Sequence, residues 1–229
     1  DRTEAAELFQ ELQFQSLMNK LPESKNHKTP SFGKADAAKP GKSTRKCDLI
    51  DDKKKLESFC KKLSKQKEIV FDTETCELGA IEFDVCGIAW SWRRGEAYYL
   101  FPREQSFFKK VKPFLEDKNI KKSGHNIKYD IEALQSHGIN TDGIADDTMI
   151  MSYLLDPGTR AHSLEQVAFA ELGYEMQPIE DLIGKGKKQI AFDKVPVAKA
   201  AAYSCEDAEV TWRLKDELTK KLKELASKQ

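Results

Sequence analysis

Long apolar runs are missing from this chain of 229 residues: no stretch approaches the ~20 consecutive apolar residues of a membrane-spanning helix. No signal peptide is visible, and the chain opens on Asp1 instead of methionine, which predicts a piece excised from something longer. An excess of either charge is missing too. Lys+Arg and Asp+Glu are both 38, for a formal net charge of zero. That excludes a protein that coats nucleic acid by bulk positive charge, but not a local basic groove around an acidic site. The five cysteines, at 47, 60, 76, 86 and 205, contain no C-x-x-C pair. They suggest neither a zinc site nor a disulfide framework, and point to a reduced, intracellular compartment. There is no G-x-S-x-G, and the four histidines, at 27, 125, 137 and 162, are scattered, so no competing nucleophile constellation is on offer.

What is present suits one α/β domain of about 180 residues plus an extension. Residues 4–21 read as an amphipathic helix with Leu8, Phe9 and Leu12 at helical spacing, within an amino-terminal segment 1–21. Residues 22–46 change character: prolines, scattered Ser, Thr and Gly, many lysines and Phe32 as the one large apolar residue. This is the composition of a flexible basic linker. The domain itself is expected over 47–229.

Within it, Asp48-Leu49-Ile50 reads as a short strand, and Asp51 or Asp52 caps a helix running through Leu63. Strands follow at 68–74, 85–92 and 96–101, the last two joined by the hairpin signal Arg93-Arg94-Gly95. Next come a helix at 104–116, a short strand at Asn119–Lys122, a helix at 127–137 closed by Gly138, and a short strand at Ile144-Ala145. Helices dominate the remainder, at 147–155, 163–172 and 196–226, with Tyr203 marking a candidate break in the last. Three antiparallel strands followed by alternating strand and helix predict an α/β fold with a mixed sheet flanked by helices, the ribonuclease-H-like arrangement.

The chain is organised around Phe71-Asp72-Thr73-Glu74-Thr75, where the apolar run Ile69-Val70-Phe71 ends. A strand alternates its faces, so Asp72 and Glu74 point the same way. Two like charges so close are costly unless cations hold them, and hard oxygen donors suit Mg²⁺ or Mn²⁺. Asn126 and Asp130 are four apart and share a helical face; Gly124 permits a tight strand-to-helix turn, whose free N–H groups could meet a phosphate. Tyr203 and Asp207 are again four apart, which sets the phenol one turn from the carboxylate. Each signal alone is weak. Together, Asp72, Glu74, Asp130 and Asp207 supply the carboxylates with which two metals cleave a phosphodiester, and Tyr203 is placed to orient the attacking water or take its proton.

These segments resemble the three exonuclease motifs of the DEDDy class of 3′→5′ exonucleases: Phe71–Thr75, Gly124-His125-Asn126-Ile127-Lys128-Tyr129-Asp130, and Tyr203-x-x-x-Asp207. Within that class the chain is most similar to the proofreading domain of bacterial family A DNA polymerases (DNA polymerase I). Asp147-Thr148-Met149, Ala161-His162-Ser163-Leu164 and Gly184-Lys185-Gly186-Lys187-Lys188-Gln189 resemble further segments of that family, the last separating it from ribonuclease-D-like relatives. Leu8–Phe14 resembles the stretch that joins the family's 5′-nuclease and proofreading domains.

The resemblance implies that Asp72, Glu74 and Asp207 ligate a first divalent cation, Mg²⁺ or Mn²⁺. Asp72 also holds a second, with Asp130 acting through water. It further implies substrate contacts from Thr73, Leu78, His125, Asn126, Arg160, Lys185 and Lys187. The expected activity is metal-dependent 3′→5′ exonucleolytic proofreading of single-stranded or frayed DNA, releasing deoxynucleoside 5′-monophosphates in the bacterial cytoplasm. The implied partners are a DNA 3′ end and the polymerase and 5′-nuclease domains of the same parent chain, working as a monomer. The alternatives are a ribonuclease-D- or Werner-type exonuclease acting on RNA or structured DNA, and a catalytically silent structural or strand-binding module.

Overall fold

A computed structural model describes residues 45–76 and 84–228, together with Ala5, Leu8 and Phe9. Those three isolated positions are helical; the rest of the expected helix over 4–21, residues 22–44 and Leu78 lie outside the described residues.

Ile69, Val70 and Phe71 lie in β2 (Glu68–Thr75) and are buried, because the strand is covered on both faces. Antiparallel β3 (Val85–Arg93) pairs with β2 on one side, and parallel β5 (Lys121–Gly124) on the other. β4 (Glu96–Leu100) runs antiparallel to β3, with Gly95 at φ 77° in the turn between them. The edges are β1 (Lys46–Ile50), parallel to β4, and β6 (Ile144–Asp147), parallel to β5. The order is β1-β4-β3-β2-β5-β6, which is the expected mixed sheet with an additional parallel strand at one edge.

Strand alternation divides the core in two. Phe71, Ile88 and Trp90 face α1 (Lys53–Leu63), α2 (Gln105–Leu115) and α3 (Ile127–Ser136), and meet Phe59, Leu115 and Leu134 there. Asp52 is the N-cap of α1, its side chain accepting from the Lys55 N–H at 2.8 Å. On the opposite face, Val70, Ala89 and Tyr99 meet Ala200, Ala201, Cys205 and Ala208. These belong to α7 (Val197–Ala226), whose small side chains let the helix approach the sheet closely. α4 (Thr148–Leu155) and α5 (Leu164–Leu172) pack against the second half of α7 through Met151, Val167, Leu214 and Leu218. Ser163 and Gln166 form a capping box at the start of α5.

Several expectations are corrected. α7 runs unbroken through 30 residues, with Tyr203 buried inside it, because its small-residue stripe against the sheet continues past that position. β5 lies two residues later than expected, its Lys122 and Ser123 pairing with neighbouring strands. A five-residue helix α6 (Ile179–Ile183) and single turns of 3₁₀ helix at Gly186–Lys188 and Phe192–Lys194 occupy what read as loop. The linker does not extend to residue 46: Lys46 opens β1, and the Arg45 side chain is buried against Glu206 at 3.2 Å and Glu209 at 4.0 Å. A lysine- and arginine-rich run reads as solvated when its acidic partners lie 161 positions away. Cys47 and Cys205 form a disulfide, contrary to the reading of unpaired cysteines; the 158-residue separation hides the pair from any spacing rule. Cys60, Cys76 and Cys86 are free. Among the described residues, no helix is long and apolar enough to cross a membrane.

Candidate active site

β2 and α7 bring the acids together. Alternation puts Asp72 and Glu74 on the face of β2 that α7 covers, and helical spacing stacks Tyr203 one turn from Asp207. Carboxylate oxygens of Asp72, Glu74 and Asp207 all lie within 4.8 Å of one another. Asp130 enters from α3, and its Oδ1 accepts the Thr73 N–H at 2.8 Å and the Thr73 hydroxyl at 2.7 Å. Thr73 therefore serves as the strut between β2 and Asp130, with both donors committed.

Burial makes the anionic forms costly. It pushes the Asp72 carboxyl up to about 7. Glu74 rises to about 8, through burial and then the Asp72 charge, against a lowering hydrogen bond from Ser204. Asp130 and Asp207 are held well above the ordinary carboxylate range, first by burial and then by Asp72. Hard oxygen donors, converging and mutually repelling, are the donor set that divalent Mg²⁺ or Mn²⁺ relieves, so the residues present fit such ions. Tyr203 is 8% exposed, and burial followed by the Asp207 charge raises its phenol, which stays protonated.

A cavity of about 890 Å³ opens over the cluster, lined by all four acids, Tyr203, His125, Asn126 and Tyr129. Its far wall is Ile179, Ile183, Gly186 and Gln189–Phe192, contributed by α6 and the loop that follows. The His125 Nε2–H donates to the His162 carbonyl at 2.9 Å, and its Nδ1 lies 2.8 Å from the Thr148 hydroxyl. Burial lowers its pKa, so the ring is neutral, with Nδ1 as acceptor. His125 thus lines the cavity with both ring nitrogens used internally.

Asn126 adopts a left-handed conformation, φ 58°, at the N-cap of α3, which asparagine tolerates better than most residues. The expectation that N–H groups at this helix start meet a phosphate is corrected. Asp147 takes them, accepting from Asn126 N–H and Ile127 N–H at 3.0 Å each, while also capping α4 through Met149 N–H at 2.9 Å. Arg160, Lys185 and Lys187 are exposed and outside the cavity lining; Lys185 pairs with Glu180 at 3.2 Å.

Ser204 was not legible as a site residue: its hydroxyl donates to Glu74 Oε1 at 2.6 Å. The available signal was a serine inside a helix, between Tyr203 and Asp207, where its backbone competition is otherwise unfavourable. Tyr129 also lines the cavity, its hydroxyl 2.8 Å from that of Thr75.

Residues 47–223 match the family model of the 3′-5′ exonuclease of DNA polymerase A. The chain belongs to that family. It is 32% identical to DNA polymerase I of Pseudomonas aeruginosa over 96% of this chain and 25% of that protein. It is 30% identical to DNA polymerase I of Chloroflexus aurantiacus over 97% of this chain and 27% of that protein. The chain thus spans about a quarter of the length of these relatives. In fold it is similar to Trypanosoma brucei RNase D, solved in complex with RNA U12. The TM-score is 0.65 at 17% identity, over 75% of this chain and 62% of that one. The ribonuclease-H-like architecture expected from the sequence is the architecture found.

Proposed function

We propose that this chain is a 3′→5′ exonuclease that proofreads DNA, removing deoxynucleoside 5′-monophosphates from unpaired 3′ ends. The observation that carries the reading is the convergence of Asp72, Glu74 and Asp207 within 4.8 Å, with Asp130 fixed beside them through Thr73. In this reading Asp72, Glu74 and Asp207 would hold one divalent cation, and Asp72 would share in holding a second, with Asp130 acting through water. When bound, the two cations lower the pKa of the attacking water and neutralise charge on the phosphoryl group and on the leaving 3′-oxygen.

The chain's own residues do the rest. Ser204 fixes the Glu74 carboxylate, which lines the cavity. Tyr203, kept protonated by burial and by Asp207, orients the attacking water through its hydroxyl and does not act as the base. Asn126 and the His125 ring form the wall that receives the terminal nucleotide. Arg160, Lys185 and Lys187, exposed outside the cavity, meet the phosphate backbone further along. The sunken cluster selects unpaired ends, because a paired terminus cannot splay into it. That the chain spans about a quarter of its relatives' length supports a setting in which further domains of one parent chain, polymerase and 5′-nuclease, are the partners; the reading takes that parent chain as a monomer.

The test is digestion of 5′-labelled single-stranded DNA, blunt duplex DNA and RNA of one sequence. A ladder shortening from the 3′ end, fastest on single-stranded DNA, supports the reading. RNA degraded much faster than DNA favours a ribonuclease-D-like activity, and no digestion by folded protein favours a silent strand-binding module.

A further inference from the structure

The outer face of α4 is apolar and open: Ile150, Tyr153 and Leu154, a turn apart, are 57%, 53% and 57% exposed. The inner face is anchored, with Thr148 and Met151 buried and the first turn capped by Asp147. Contiguous exposed apolar side chains on a rigid element mark a surface that binds something.

This patch connects to the cavity wall through two histidines. The Tyr153 ring stands edge-on to the His162 imidazole, with centroids 5.6 Å apart and planes at 69°. His162 Nδ1 lies 2.9 Å from the Ser152 hydroxyl of α4, and its carbonyl accepts from His125, which lines the cavity. His125 and His162 thus link the cavity wall to the Tyr153 ring through one hydrogen bond and one ring contact.

We propose that Tyr153, flanked by Ile150 and Leu154, is a stacking platform for a nucleobase of the unpaired strand, upstream of the two nucleotides that flank the scissile bond. The proposal rests on the exonuclease reading above. Every base offers a π-face, so stacking on an exposed aromatic ring accepts any sequence. Thr148–Leu155 carries no charged side chain; beyond it the exposed C-cap Asp156 is followed by the exposed Arg160 in the same loop. A tyrosine ring offers a large contact with only two torsions to fix. Three side chains on one helix fall far short of the ~800 Å² per partner that a stable protein interface needs, which favours a strand over a folded partner.

The test compares kcat and KM of the full chain and its Tyr153→Ala and Tyr153→Phe variants on a dinucleotide and on a single strand of about eight nucleotides. Tyr153→Ala is expected to raise KM on the longer strand by about 5- to 150-fold, the loss of one stacked base, with kcat and dinucleotide hydrolysis unchanged. Tyr153→Phe keeps wild-type behaviour. An unchanged KM on the longer strand, or an equal rise on both substrates, overturns the platform. So does a change of oligomeric state in Tyr153→Ala at unaltered strand KM, which would assign the face to self-association. If the wild type hydrolyses neither substrate, the exonuclease reading has failed, and fluorescence anisotropy in EDTA decides the platform separately. Length-dependent affinity lost in Tyr153→Ala supports it, and affinity equal to wild type overturns it.

Discussion

Ser204 on α7 donates a 2.6 Å hydrogen bond to Glu74 Oε1 on β2, joining two positions 130 residues apart. Its hydroxyl also lies 3.0 Å from the Ala200 carbonyl, so the one proton serves the nearer carboxylate. A hydrogen bond to a charged group contributes about 1.5–3 kcal/mol. Ser204→Ala should therefore raise the Mg²⁺ concentration for half-maximal nuclease activity by about tenfold or more, with little loss of kcat at saturating Mg²⁺. A Mg²⁺ titration checks this; an unchanged midpoint would remove Ser204 from the site.

The raised carboxyls of Asp72 and Glu74 make the metal-free protein pH-sensitive. Unfolded, these groups lose their protons near pH 4; folded, they keep them to about 7 and about 8. Between those limits the folded state binds more protons, so stability falls as pH rises. In EDTA, the melting temperature should drop from about pH 5 to about pH 8.5, and saturating Mg²⁺ should flatten the profile. A melting temperature in EDTA that rises over this range would contradict the burial of these acids.

Asp147 holds the first N–H groups of both α3 and α4. Losing a cap costs about 1 kcal/mol, and here two helix starts depend on one carboxylate. Asp147→Ala should destabilise the chain by about 2 kcal/mol in urea unfolding and loosen Asn126 in the cavity wall, raising KM more than it lowers kcat.

Arg45 is buried between Glu206 and Glu209, and Glu206 also accepts from the Tyr174 hydroxyl at 2.6 Å and the Gln177 N–H at 2.8 Å. Removing one partner of a buried pair typically costs about 3–5 kcal/mol, because the other charge is left uncompensated. Arg45→Met should fall at the low end of that range, since Glu206 keeps two donors. The double variant Arg45→Met with Glu206→Gln should recover part of the loss. Equal stability of single and double variants would show that the ion pair does not matter.

The local part of this molecule was legible. β2 shows as an apolar run, and the alternation of Asp72 and Glu74, like the four-residue spacings of Asn126–Asp130 and Tyr203–Asp207, states which side chains share a face. The parts that stayed hidden are long-range. Arg45 finds Glu206, Cys47 finds Cys205, Ser204 finds Glu74, and Asp147 caps a helix that begins twenty residues earlier. Periodicity reports neighbours along one element and says nothing of partners across the fold. The candidate break of α7 at Tyr203 does not occur, because packing of its alanines on the sheet carries the helix through. α6 has five residues, too few for a periodic pattern to register.

The most direct measurement follows a 5′-labelled single-stranded oligonucleotide with wild-type protein, Tyr203→Phe and Asp72→Ala, each with Mg²⁺ and with EDTA. Two-cation hydrolysis at the Asp72, Glu74 and Asp207 cluster predicts a 3′-shortening ladder that EDTA abolishes. Tyr203→Phe should slow it, and folded Asp72→Ala should lose it. Near-normal digestion by Asp72→Ala, or digestion that persists in EDTA, would contradict the site.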